Sequence, residues 1–188
     1  MARVPYLDVE DLPEEERDLL KRPINLFRAF VHSPKMARAF SGLGGHIRYG
    51  SKLDPRLREL AILTVGYLTR SRFEYSHHVK LGMQQFGVTE DDLKNLAAFC
   101  NDEAVSGLSD LDRCVLSAAR QLTDTREIDD ATFAALADAL PRDELIDLVV
   151  AIAFYNGVVR ILGALQIDVE DEYKPYLDIV PLPEPSRH

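Results

Sequence analysis

The segment over residues 53–96, LDPRLRELAILTVGYLTRSRFEYSHHVKLGMQQFGVTEDDLKNL, decides the fold of this chain. Asp54 followed by Pro55 marks a helix start, because an aspartate can cap a helix and a proline suits its first turn. The apolar residues that follow predict a helix over 55–68, and a short break separates it from a second helix over 74–86. Two helices joined by so short a connection predict an antiparallel helical hairpin.

Outside this segment, prolines, glycines and capping residues divide the chain into helices, about eight or nine in all, and no stretch keeps the two-residue period of a strand. Within a closing region over residues 142–170, the run 142–165 is apolar nearly all round, which predicts a long buried helix. We expect an N-terminal arm over 1–32 and an extended tail over 171–188, because three prolines fall in the last eight residues. The prediction is a single all-α domain over 1–188.

Composition and charge narrow the functional classes. A chain of 188 residues with 46% hydrophobic residues can bury a sizeable core, and its net charge of −9 argues against nucleic acid as a partner. Cys100 and Cys114 lie in apolar runs, which is typical of buried free thiols. The acidic first residues do not resemble a signal peptide, and the apolar run 142–165 is interrupted by Asn156 and Arg160. We therefore expect a cytoplasmic protein with a core helix rather than a membrane span.

Acidic residues and histidines on the hairpin are the candidates for chemistry. Glu59 lies among apolar neighbours, while Glu74 and His78 are four residues apart and therefore share one face of a helix. A carboxylate beside an imidazole is the working part of a general acid/base, although most such pairs on surface helices have no chemical role. His77 lies about 100° further round the helix. Arg160, within an apolar helix, is consistent with a structural ion pair, an intersubunit contact or a clamp for a substrate carboxylate.

Residues 53–96 resemble the core helical hairpin of the carboxymuconolactone decarboxylase / alkyl hydroperoxidase D (AhpD) family, and residues 154–170 resemble its closing helix. The resemblance implies an AhpD-like multi-helical bundle that assembles as a homo-oligomer. Apolar residues in the arm and the tail agree with that expectation, because such residues need a partner surface. A dimer, a trimer or a hexamer would satisfy it.

The peroxidase branch of this family has a glutamate twelve residues before a C-x-x-C-x-x-x-H motif. Counting from Glu59, the corresponding positions here are Ser71, Glu74 and His78, so the glutamate and the histidine are present and both cysteines are replaced. A peroxide is reduced by an attacking thiolate, and the product is resolved by a second thiol. A serine cannot perform that cycle. The sequence therefore predicts that the protein is not a thiol peroxidase.

The motif FEYSHH over residues 73–78 resembles the decarboxylase-like branch. That resemblance implies a cofactor-independent acid/base enzyme, a lyase or isomerase, which acts on a small organic acid or lactone. Neither a metal nor an organic cofactor is then expected, and neither a nucleic acid nor a membrane is expected as a partner. The implied catalytic residues are His78, which would deliver or remove a proton, Glu74, which would orient His78, and Glu59, a second relay or base. The candidate substrate-binding residues are Ser71, His77, Arg160 and His46.

Two alternatives stay open at this level. Carboxylates and imidazoles are also metal ligands, so a metal-dependent enzyme is one alternative, with ligands drawn from Glu59, Glu74, His77, His78 and His46. The other is a non-catalytic helical oligomeric scaffold that has lost AhpD-type peroxidase activity, because a fold does not determine a function.

Overall fold

The computed structural model describes residues 2–184, which are predominantly helical and contain no strand. Eight α-helices, α1 to α8, form the bundle, so the all-α prediction is confirmed. In chain order they are Asn25–Phe30, Pro34–Gly45, Pro55–Leu68, Arg72–Gln85, Glu90–Cys100, Asp110–Asp124, Asp130–Ala139 and Arg142–Leu165. Short 3₁₀ turns lie at Val9–Asp11, Glu14–Leu20 and Lys174–Leu177, and a π-helical turn lies at His46–Gly50.

Helix α3 is the centre of the bundle and packs against α4, α5, α6 and α8. The side chain of Asp54 caps it, accepting a hydrogen bond from the Leu57 amide at 2.9 Å, and every residue from Leu57 to Tyr67 is buried. Gly66 lets α4 approach closely, because a Cβ atom there would lie 3.3 Å from the Tyr75 amide nitrogen. The predicted antiparallel hairpin is therefore α3 and α4. Helix α4 begins at Arg72, two residues earlier than predicted.

Two helix caps meet at one arginine beside the N-terminus of α3. Thr89 and Asp92 form a capping box at the start of α5, and Ser109 and Asp112 form another at the start of α6. The Arg56 guanidinium bridges the two aspartates, with ion-pair distances of 2.5 Å to Asp92 and 2.8 Å to Asp112. One side chain thus holds the starts of three helices together.

Replacement of Arg56 by methionine is expected to lower the free energy of unfolding by about 3 kcal/mol, because two buried carboxylates lose their common cation. Urea unfolding at neutral pH measures this change. Lys94→Met, which removes an exposed ion pair with Glu90 on α5, is the matched control and should change stability by less than about 0.5 kcal/mol. Equal effects of the two substitutions would contradict the bridging role of Arg56.

Helix α8 has the predicted extent but buries one face only. Its inward residues contact α3, α4, α6 and α7, whereas Ile146 and Val150 on the outer face are 61% and 38% exposed. An 18-residue window of this helix is long and apolar enough to cross a membrane by length and composition, and 44% of that window is buried within the chain. All-round burial was expected from its composition, but a single chain supplies neighbours for only one side of it.

The N-terminal arm and the segment after α8 are joined to each other. The Arg3 amide donates to the Leu165 carbonyl at 2.9 Å, and the Asn25 amide donates to a Glu170 carboxylate oxygen at 2.6 Å. The tail differs from the extended segment predicted over 171–188, because Tyr173 and the 3₁₀ turn after it pack against α4. Residues 185–188 of that prediction lie outside the described residues.

Candidate active site

The centre of the candidate site is an imidazole held between two buried carboxylates. Helix α3 supplies Glu59, which is 0% exposed, and α4 supplies Glu74 and His78, which are 4% and 5% exposed. His78 Nδ1 lies 2.6 Å from Glu59 Oε2, and His78 Nε2 lies 2.9 Å from Glu74 Oε1. The hairpin thus brings together the three residues that the sequence identified as candidates. We call them the Glu–His–Glu group.

The geometry determines the charge of His78. A neutral imidazole carries only one N–H, so one of its nitrogens would present a lone pair to a carboxylate. With both carboxylates ionised, both contacts are favourable only when both nitrogens carry hydrogen. Burial by itself lowers the pKa of His78, but the negative charges of Glu59 and Glu74 outweigh burial and raise that pKa to about 9. His78 is therefore an imidazolium at neutral pH.

A second layer of polar side chains surrounds the Glu–His–Glu group. Arg58 is buried, and its Nε lies 3.4 Å from Glu59 Oε1 while its guanidinium covers the Phe86 ring. The Tyr155 ring makes an edge contact with the His78 ring, with centroids 4.8 Å apart. Burial raises the pKa of the Tyr155 hydroxyl, which keeps that group protonated. This hydroxyl accepts a hydrogen bond from Arg48 at 3.3 Å.

A small cavity lies beside this group, and we call it the inner cavity. Its volume is about 30 Å³, which is enough for about one or two water molecules. Glu74 and His78 line the inner cavity, whereas Glu59 lies behind them. Apart from the ion pair with His78, Glu74 makes no side-chain hydrogen bond within residues 2–184. Glu74 is therefore the carboxylate that is available to a molecule in the inner cavity. The inner cavity is lined by Arg22, Ile24, Leu26, Phe27, Phe40, Arg48, Phe73, Glu74, His78, Phe154, Tyr155 and Val158.

His77 points away from the Glu–His–Glu group into a separate environment. Its ring is stacked between Phe73 and Tyr173, with centroid distances of 4.0 and 3.5 Å. Its Nδ1 lies 2.8 Å from the Phe73 carbonyl oxygen. Its Nε2 lies 3.2 Å from Glu170 Oε2, at ion-pair distance but without the alignment of a hydrogen bond. His77 lines an outer cavity of about 220 Å³, which is lined by Arg22, Tyr49, His77, Lys80, Leu81, Gln84, Gln85 and Tyr173.

Three further candidate residues lie away from the Glu–His–Glu group. Ser71 lines a different cleft, at the N-terminus of α4. His46 is exposed in the π-helical turn and does not line the inner cavity. Arg160 is exposed on the outer face of α8, where its guanidinium donates to the Asn156 backbone carbonyl and side-chain oxygens. The sequence suggested a buried Arg160, but the residue is exposed beside an open cleft that it shares with Leu122 and Arg126.

The candidate metal ligands do not converge on one point. His78 has a carboxylate at each nitrogen, His77 is directed to Glu170, and His46 is exposed. Within the part of the chain that the structure describes, no three His, Cys, Asp or Glu side chains are arranged to hold a metal ion. The geometry thus gives the metal-dependent alternative no ligand set.

The cysteines are remote from this chemistry. Cys100 at the end of α5 is a buried free thiol, and burial raises its pKa to about 12. Cys114 is also a free thiol, and neither residue lines the inner or the outer cavity. At neutral pH Cys100 holds its proton, so the nucleophilic thiolate form is negligible.

Sequence reasoning did not find Arg48, Arg22 and Tyr155. Arg48 follows the glycine-rich stretch at the end of α2, and Gly44 leaves room for it, because a Cβ atom there would lie 3.4 Å from an Arg48 guanidinium nitrogen. Tyr155 lies in the most apolar helix, where its hydroxyl is hidden among packing residues. Only the cluster of glycines around Arg48 signalled a close approach.

Fold and site together define an all-α protein with an AhpD-like fold and a buried Glu–His–Glu group. Residues 34–105 match the model of the carboxymuconolactone decarboxylase family. That match and the fold confirm the resemblance to the carboxymuconolactone decarboxylase / AhpD-like family seen in the sequence. Among curated proteins, no sequence matches the chain significantly.

Three solved structures are similar to this chain. One is an uncharacterized peroxidase-related protein from Ralstonia eutropha JMP134, described as an alkylhydroperoxidase AhpD core, with 18% identity and a TM-score of 0.78. The alignment covers 96% of this chain and 97% of that chain. An uncharacterized peroxidase-related protein from Silicibacter sp. TM1040 has 19% identity and a TM-score of 0.74, with 92% of each chain covered. A putative antioxidant defence protein AhpD from Agrobacterium tumefaciens has 20% identity and a TM-score of 0.65, covering 75% of this chain and 94% of its own. Identities this low show a common fold only.

Proposed function

We propose that the protein is a cofactor-independent acid/base enzyme, a lyase or isomerase, which transfers a proton to or from carbon in a small organic acid or lactone. The observation that carries this proposal is the imidazolium of His78 between two buried carboxylates, beside a cavity. Buried pairs of titratable groups with displaced pKa values are typical of sites that transfer protons. The match of residues 34–105 to the model of the carboxymuconolactone decarboxylase family supports the same class of chemistry.

The geometry supports separate roles for the three residues. Glu74 lines the inner cavity, and its Oε2 atom makes no hydrogen bond to the described residues, so we assign Glu74 the direct exchange of a proton with a substrate carbon. His78 stabilises the Glu74 carboxylate by its charge and shares a proton with it. Glu59, behind His78, holds the imidazolium in place. Sequence reasoning had assigned the direct transfer to His78 and the orienting role to Glu74.

Proton removal by Glu74 would leave an enolate on the substrate. The C–H electron pair moves onto the substrate carbonyl oxygen, and the proton forms the O–H bond of the Glu74 carboxylic acid. The Tyr155 hydroxyl and the Arg48 guanidinium line the same cavity and can stabilise that oxygen by hydrogen bonding and charge. In a decarboxylation the C–C electron pair moves onto the substrate carbonyl oxygen as carbon dioxide leaves. The His78 imidazolium would then pass its proton through Glu74 to the carbanion carbon, and a proton from solvent would restore His78.

One observation favours the second candidate, a non-catalytic helical scaffold. The inner cavity, at about 30 Å³, admits water but no organic acid without movement of a lining side chain.

The exposed apolar face of α8 also supports the proposal that the chain forms a homo-oligomer, because Ile146 and Val150 have no partner within the described chain. The mass of the purified protein in solution tests that assembly.

Exchange of substrate protons with solvent deuterium tests the enzymatic proposal without knowledge of the pathway. Small 2-oxo acids, 3-oxo acids and lactones are incubated with the protein in D₂O, and loss of the signal from the proton beside the carbonyl is followed by ¹H NMR. We expect at least one compound to exchange faster with the protein than in buffer. No exchange above the buffer rate for any compound would favour the scaffold.

A further inference from the structure

The charges around the inner cavity do not balance. Arginine is always charged in proteins, and His78 is an imidazolium, so three cations line the inner cavity: His78, Arg48 and Arg22. Arg58, beside Glu59, adds a fourth. Only two carboxylates face them, Glu59 and Glu74. An unbalanced charge in a buried site is costly, and an anionic ligand removes that cost. The excess positive charge therefore favours an anion in the inner cavity.

Arg48 makes no ion pair with a carboxylate of the described residues, although the charge of Glu74 lies near enough to act on it. Its only hydrogen bond within residues 2–184 is to the neutral Tyr155 hydroxyl, at 3.3 Å. Its Nε atom is buried and has no partner among the described residues. Arg48 lines the inner cavity together with apolar side chains such as Leu26 and Phe27. Two parallel N–H donors on one guanidinium suit a carboxylate particularly well.

Arg22 lies between the inner and the outer cavity, because it lines both of them. It is half-buried, and its side chain makes no hydrogen bond or ion pair within residues 2–184. Lys80, another cation of the outer cavity, faces Glu172 at 3.4 Å, and the His77 ring faces Glu170. Arg22 is therefore the cation that an incoming anion would meet unpaired.

We propose that Arg48 and Arg22 bind the carboxylate of a small anionic substrate, which enters from the outer cavity past the Arg22 side chain. This inference rests on the proposed function, because the bound anion is a substrate only if the protein is an enzyme. Movement of the Arg22 side chain would join cavities of about 30 and 220 Å³. Pockets for drug-sized ligands measure about 300–1,000 Å³, so the joined space suits a small carboxylic acid. With its carboxylate on Arg48, that acid would occupy the same cavity that Glu74 lines.

Binding of a simple anion tests this inference separately from catalysis. The probe is propionate, and propionamide is its neutral counterpart of the same shape. NMR resonances of the His78 ring report occupancy of the inner cavity. We expect propionate to shift these resonances at millimolar concentrations and propionamide to leave them unchanged. Arg48→Met and Arg22→Met should each weaken propionate binding at least tenfold.

Two further variants control for damage to the fold. Arg38→Met removes an exposed arginine of α2 that pairs with Asp18, and it should bind propionate as the unaltered protein does. Arg48→Lys keeps the charge but loses the forked donor, so its affinity should lie between those of the unaltered protein and Arg48→Met. Far-ultraviolet circular dichroism confirms that each variant is folded.

The outcomes separate the inference from the proposed function. Propionate binding that depends on Arg48 supports the inference even when no compound exchanges protons, a result that would remove only the enzymatic proposal. Equal binding of propionate and propionamide, or propionate affinity unaffected by both Arg48→Met and Arg22→Met, would overturn the inference. Absence of propionate binding to the unaltered protein would overturn it as well.

Discussion

Replacement of Glu74 by glutamine is expected to lower the rate of deuterium exchange by about 10²–10⁴-fold, the range typical of a general acid/base. Glutamine has the shape of glutamate and can still accept a hydrogen bond from His78 Nε2, so the site remains packed. It cannot take up a proton from carbon at neutral pH. The exchange assay with the best compound from the panel measures this effect as a fall in turnover rather than in affinity.

Glu90→Gln provides the matched control, because it makes the same chemical change at an exposed position of α5. Turnover by that variant should equal turnover by the unaltered protein. If Glu74→Gln retained more than about a third of the exchange rate, the assignment of Glu74 as the proton-transferring residue would be wrong.

Stability should fall as pH rises through the titration of His78. The pKa of His78 is raised from 6.5 to about 9 in the folded protein, so the folded state binds the proton more tightly than the unfolded state. The resulting stabilisation is fully present below about pH 6.5 and is lost as pH rises through about 9. The shift corresponds to about 3 kcal/mol. Urea unfolding at several pH values from 6 to 10 measures this loss.

The difference between the unaltered protein and His78→Gln isolates the contribution of this histidine. The variant should be less stable at pH 6.5, because two buried carboxylates lose their cation. It should also lack the fall in stability between about pH 6.5 and 9. His32→Gln, at an exposed histidine of the N-terminal arm, should keep that fall. An unaltered protein whose stability stays constant across this range would argue against a stabilised imidazolium.

The hairpin and its acid/base residues were predictable because the information is local. Capping by Asp54 and the helical period define α3 and α4, and the spacing of Glu74 and His78 places them on one face. Glu59 joins them because antiparallel helices bring distant residues together, which the resemblance to the family suggested. The roles of Glu74 and His78 were less accessible, since they depend on which side chain faces a cavity.

The anion-binding candidates show where sequence reasoning failed. His46 and Arg160 were selected by charge alone, yet both are exposed. Arg48, two residues after His46, reaches the inner cavity because a π-helical turn ends α2 and directs it toward Tyr155. No residue spacing encodes that turn. The exposure of one face of α8 could not be predicted either, because an apolar composition does not show how many neighbours a helix has.

The charge of His78 underlies both the proton-transfer proposal and the unbalanced charge at the inner cavity. A pH titration of the His78 ring nitrogens by ¹⁵N NMR measures that charge directly. We predict two protonated nitrogens at pH 7 and a midpoint near the pKa of about 9. A ring that is neutral at pH 7, with a midpoint at or below its ordinary value of 6.5, would contradict an imidazolium held between Glu59 and Glu74.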